Sequence, residues 1–129
     1  MQLASRIFRG AAIYGVIVLL PLLFLEARFG TDNPPPLTHA EFYYGFTCSA
    51  LAWQAVFWVI GSDPVRYRPL MLVAAVLEKF PWGLVVFGLG AMGRVIPPGT
   101  YFFASMDVIL GFLFILAWQR TAAHSPTGR

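Results

Sequence analysis

Apolar and polar positions alternate in long blocks. Apolar runs cover Ile7 to Leu25, Phe42 to Ile60, Leu70 to Leu89 and Tyr101 to Trp118, and short segments rich in Pro, Gly, Asp and Arg separate them. A helix rises about 1.5 Å per residue, so runs of this length match a hydrocarbon layer about 30 Å thick. The pattern predicts an all-α protein, a four-helix transmembrane bundle in one integral membrane domain. The spans fall at about 7–26, 41–60, 69–90 and 100–118, with a polar tail at 119–129.

The breaks between runs carry their own signals. Pro21 predicts a bend near the end of the first span, because proline removes a backbone donor. Arg28 to Leu37 holds Gly30, Asp32, Asn33 and three prolines and reads as a loop. Thr38-His39-Ala40-Glu41 has the spacing of a capping box for the second span. Gly61-Ser62-Asp63-Pro64 ends that span, and Pro69 suits the first turn of the third. Gly93 to Gly99, with Pro97-Pro98, is a tight connection, and Thr100 is the expected cap of the fourth span. The basic start of the first run also fits a signal peptide. Leu25-Glu26-Ala27 lacks the paired small residues of a cleavage site, so the run is expected to stay as a span.

Composition supports the membrane class. The chain is 58% hydrophobic and 12% charged, where a soluble domain carries about 25% charge. The net charge of +3 comes from arginines spread among short loops, which excludes a nucleic-acid patch. Cys48 is the single cysteine, so no intrachain disulfide forms. Arg6, Arg9, Arg66, Arg68, Arg120 and Arg129 lie on one side of the expected spans, and Arg28 and Arg94 on the other. Basic residues concentrate on the cytoplasmic side. Both termini are therefore expected in the cytoplasm, in a multi-pass protein of a bacterial-type inner (plasma) membrane. Trp58, Tyr67 and Trp118 then mark the inner interface, and Tyr43, Tyr44 and Tyr101 the outer one.

Helices in lipid associate through close packing and polar contacts. Ala11 with Gly15, and Gly45 with Ser49 beside Cys48 and Ala52, are expected seams of small residues. Ala74, Ala75 and Glu78 share a face of the third span that should turn inward.

Polar residues inside the runs are the candidate chemistry. Glu78 and Lys79 are adjacent near the middle of the third span, followed by Pro81 and Trp82. A charge centred in a bilayer costs roughly 2.5–3.5 kcal/mol on insertion scales, so the pair should face other helices. Glu78 lies about 14 Å past Pro69 along the helix, and Asp107 about 10 Å past Thr100. Lys79 is expected to pair with Asp107 or Glu78, with Gln54 of the second span somewhat deeper. Pro81 leaves the Leu77 carbonyl without its helical donor and predicts a kink there. Glu78 and Asp107 are candidate proton-transfer groups; Glu78, Lys79, Trp82, Asp107 and Gln54 are candidate ligand contacts. The same residues also fit a structural ion pair that fixes helix register.

A second cluster, Glu26, His39 and Glu41 with Tyr43 and Tyr44, lies at the expected outer surface. His39 and Glu41 are two apart and would diverge on a helix, so the reading there is interfacial structure, with metal ligation as the alternative. His124 in the tail adds nothing to either. No phosphate-binding loop, nucleophile elbow or His-Glu-x-x-His occurs. Two histidines in these positions do not make a transmembrane haem pair. No cofactor is expected. Cys48 reads as a small packing residue.

Four short spans, cytoplasmic termini and a polar midspan resemble the DoxX-like class of small bacterial membrane proteins. The layout is also similar to the EXPERA group, which includes sterol isomerases and a sterol-binding receptor. The stretches HAEFYYGF, DPVRYRP and LEKFPWG have the look of family signatures, but no activity attaches to them and no catalytic residue is carried over. The first expectation is a binding module for a lipid-like or quinone-like molecule near Glu78 and Lys79. The alternatives are an isomerase-type enzyme using buried carboxylates, an accessory subunit of a membrane complex, and a proton-coupled transporter built as an oligomer. Membrane lipids, and a second copy or a larger complex, are the expected partners.

Overall fold

The computed structural model describes residues 1–122, and every regular element among them is helical. Helix α1 is Gln2–Leu19 and continues as a 3-10 turn, Leu20–Phe24; α2 is Glu26–Asp32 and α3 is Ala40–Ser62. The third apolar run forms α4, Arg68–Val73, a π-helical stretch, Ala74–Lys79, and α5, Phe80–Ala91. Helix α6 is Pro98–Ala122. Four of these units are long and apolar enough to cross a membrane: Gln2–Phe24, Ala40–Ser62, Arg68–Ala91 and Pro98–Thr121. Their outward faces carry Ile17, Phe24, Leu77, Leu84, Phe102 and Phe112, each more than half exposed. A water-facing bundle would hold its polar residues there instead.

The ends depart from expectation in ways the local chemistry explains. The first span begins near Gln2, because nothing in Leu3 to Arg6 breaks a helix, and Pro21 tightens its last turn into 3-10 geometry. The Tyr43 hydroxyl donates to the Leu22 carbonyl at 2.6 Å, satisfying an acceptor in that irregular turn. The expected loop is helical over Glu26–Asp32, held by Arg28 to Asp32 at 3.4 Å and by the Thr31 hydroxyl on the Ala27 carbonyl at 3.0 Å. Asn33 and the prolines then end it. The capping box does not form. His39 stands at the N-cap with no side-chain bond to the helix backbone, and the Glu41 carboxylate meets its ring at 3.1 Å instead. Thr100 is not a cap either: α6 starts at Pro98, and the Thr100 N–H donates to the Pro97 carbonyl at 2.9 Å.

Packing follows small and aromatic residues. Helix α1 lies against α3 through Ala4, Phe8, Ala11, Ala12 and Gly15. At Gly61 the helices come so close that an added Cβ would meet the Arg9 backbone N and the Ser5 carbonyl oxygen, both at 3.2 Å. The Ser5 hydroxyl donates to the Gly61 carbonyl at 2.6 Å there. Phe8, Phe57 and Phe114 fill the centre of this end: Phe8 stacks on Phe114 at 4.1 Å, and Phe57 meets Phe114 edge-on at 5.0 Å. Helix α6 packs along the whole third span and against α1. The second span approaches the third mainly at α4, so these sequence neighbours part toward the proline-loop end.

The small-residue seams divide. Ala11 with Gly15, and Ala74 with Ala75, are buried as expected. Gly45, Cys48, Ser49 and Ala52 are exposed. The packed face of α3 is set by larger side chains, Tyr43, Thr47, Gln54, Phe57 and Ile60, so Cys48 is not a packing residue within this chain.

Candidate functional site

Where the second and third spans diverge, the bundle leaves a partly open cavity of about 460 Å³. Glu78, Lys79 and Trp82 line it from the third span, Gln54, Ala50 and Phe46 from α3, and Asp107, Phe103 and Thr100 from α6. Tyr14, Gly15, Val18 and Leu19 of α1, with Leu22 and Phe29, complete the wall toward the proline-loop end. Glu78, Lys79, Trp82, Asp107 and Gln54, singled out in the sequence, thus share one space.

The π-helical stretch positions the charged pair. Consecutive residues on an α-helix point about 100° apart, which would turn either Glu78 or Lys79 away from the interior. Here the Phe80 N–H reaches back five residues to the Ala75 carbonyl, so the turn is wider and successive side chains diverge less. Pro81 follows inside the continuous third span, where it has no N–H to offer the carbonyls of the preceding turn. The irregularity expected as a kink at Pro81 takes the form of a widened turn just before it.

Lys79 is 5% exposed and is the hub of the polar cluster. Its Nζ donates to Asp107 Oδ1 at 3.0 Å and lies 3.3 Å from Glu78 Oε2 and 3.5 Å from Glu78 Oε1. The ammonium also lies 5.3 Å from the centre of the Phe57 ring, which forms an aromatic floor. Both expected partners of the lysine are therefore engaged at once.

Gln54 has the opposite condition. It is 3% exposed, its Nε2 donates to the Ala50 carbonyl at 2.9 Å, and its Oε1 has no donor. Reversing the amide would set oxygen against oxygen, so the group left without a partner is the acceptor, which packs against Gly15. Gly15 makes room for this side chain: a Cβ there would collide with the Gln54 carboxamide. Glu78 Oε2 is likewise buried without a well-directed hydrogen bond, although it lies within ion-pair distance of Lys79.

The outer cluster does not converge. The Tyr44 hydroxyl donates to Glu26 Oε2 at 2.7 Å, while His39 and Glu41 pair separately. The last two meet despite their spacing because His39 is not helical, with φ −122° and ψ 74°. Among the described residues no three His, Cys, Asp or Glu side chains come together in a way that would hold a metal ion. His124 lies outside the described residues.

Tyr14, Phe46, Ala50 and Phe103 are site residues that sequence reasoning missed. Their apolar character is common to every span, so no local signal separates a cavity wall from a lipid-facing position. Gly15 was visible as a seam, but not as the seat of Gln54. Comparison with protein-family models, curated proteins and solved structures finds no match. The functional reading rests on the site itself.

Proposed function

We propose that this chain is a multi-pass membrane protein that binds an amphipathic, lipid-like molecule. The polar head lies among Gln54, Glu78, Lys79 and Asp107, and the apolar body lies along the α1, α3 and α6 walls. The observation that carries this reading is a cavity of about 460 Å³ with a buried polar end and an otherwise apolar lining. Ligand sites of about 300–1,000 Å³ combine apolar walls with a few convergent polar groups in this way. A structural ion pair alone would leave a filled interior, whereas a cavity lies beside the pair here and the buried Gln54 Oε1 has no donor.

Both termini lie on the cytoplasmic side in this proposal. Arg9 over Trp58 at 5.2 Å and Arg68 over Trp118 at 4.4 Å make the arginine-rich end an interfacial belt. The layout likeness to DoxX-like and EXPERA proteins, four short spans around a polar centre, accords with the same reading.

A photo-reactive phenylalanine analogue at position 82, in the cavity, or at position 112, on the exposed face, tests it. Irradiation of membranes should give one discrete adduct mass from position 82 and a scatter of bulk lipids from position 112. The same scatter from both positions would remove the binding reading.

A further inference from the structure

The four spans form two closed pairs. Helix α1 packs along α3, and α6 packs along the third span. The pairs meet at the arginine-rich end, where Phe8 and Phe57 of the first close on Phe114 of the second. The last link is Lys79 over the Phe57 ring. Past that level, toward the proline loop, each pair is tied within itself: Tyr43 to Leu22 and Tyr44 to Glu26 in the first, Phe87 to Tyr101 in the second. Among the described residues no hydrogen bond, ion pair or ring contact joins one pair to the other there.

The cavity lies between the pairs, and its sides differ. The phenylalanine cluster is its floor, and α1 against α6 closes its back. Leu22 and Phe29 roof the proline-loop end, both fastened to α3 through Tyr43, whose hydroxyl bonds the Leu22 carbonyl and whose ring meets Phe29 at 5.3 Å. The remaining side, between α3 and the third span, is not closed above α4. Phe46 lines the cavity from α3 and is still 51% exposed, so it stands at the mouth, with Trp82 on the third span. Phe46 lies about 9 Å along α3 from Ala40, inside a unit long enough to cross a membrane. Acyl chains, not water, meet a mouth at that depth.

We infer that the cavity is filled and emptied sideways, from the hydrocarbon of the bilayer, through the gap between α3 and the third span. This rests on the ligand-binding reading above and adds the source: the occupant is a bilayer-resident amphiphile whose chain passes out beside Phe46. An apolar body leaving through the roof would be wetted on the way, whereas one sliding out through the gap exchanges one apolar surface for another.

The test leaves Trp82 as the sole tryptophan of the full chain, with Trp53→Phe, Trp58→Phe and Trp118→Phe. The protein is placed in vesicles of phosphatidylcholine brominated at mid-chain, and acrylamide is added to the water phase. Bromolipid should quench Trp82 strongly and acrylamide hardly at all. Ala50→Phe, which fills the cavity, should relieve most of the bromolipid quenching, and Phe46→Ala, at an exposed position that does not endanger the fold, should increase it. Quenching by acrylamide without bromolipid would show a cavity open to water and overturn the lateral route, as would bromolipid quenching that neither variant changes. Both results leave ligand binding standing, because crosslinking from position 82 reads occupancy whatever the route. A scatter of bulk lipids in that crosslinking would remove the reading on which the route rests.

Discussion

Lys79 on the third span and Asp107 on the fourth meet at 3.0 Å, with Glu78 3.3 Å from the same nitrogen. One buried ammonium therefore joins two helices and holds both carboxylates inside the bundle. The arrangement follows from the cost of charge in hydrocarbon: groups that cannot reach water collect around one another.

Removing the hub should be worse than removing the whole cluster. Lys79→Met leaves two carboxylates buried without their counter-ion, and breaking a buried pair typically costs about 3–5 kcal/mol. The triple variant Lys79→Met, Glu78→Leu, Asp107→Leu should recover most of that loss, since apolar replacement of a buried ion cluster is often neutral. Thermal unfolding in detergent measures both. A triple variant no more stable than the single would show that the ions contribute more than their mutual compensation.

The seat of Gln54 makes a second test. Gly15→Ala places a methyl group where the Gln54 carboxamide lies, and overpacking of this kind costs about 1–3 kcal/mol. Gly15→Ala combined with Gln54→Ala should be more stable than Gly15→Ala alone, a coupling that a double-mutant cycle of unfolding measurements reads directly. Additive effects would mean that the two residues do not touch.

Orientation gives a third. Arg6, Arg9, Arg66, Arg68 and Arg120 flank one set of helix ends, and Arg28 and Arg94 the other. A reporter fused after Arg129 should be active only when it is a cytoplasmic type. Activity of an exported type alone would invert the topology.

The helices and their polar centre were legible because both rest on strong signals. Twenty apolar residues have few alternatives to a spanning helix, and Glu78, Lys79 and Asp107 have few places to go within one. The pairing of spans was not legible. Gly45 and Ser49 have the spacing of a seam yet lie exposed, because Phe57 and Ile60 draw the other face of α3 onto α1 and its neighbours. The helix ends misled for a local reason. Thr38 and Glu41 have capping-box spacing, but His39 takes the cap position and engages the glutamate itself. The π-helical turn also escaped, since Pro81 marks an irregularity without saying on which side of it the backbone widens. The cavity depends on that turn and on the divergence of the second and third spans, and neither is written in one local stretch.

Native mass spectrometry of the protein released from mild detergent tests the central claim most directly, with the wild type beside Ala50→Phe, which puts a ring into the cavity. The wild type should carry a bound amphipathic molecule of defined mass, and Ala50→Phe, folded and inserted, should carry none. A wild type that emerges bare, or a variant that retains the same molecule to the same extent, would contradict a ligand site between these helices.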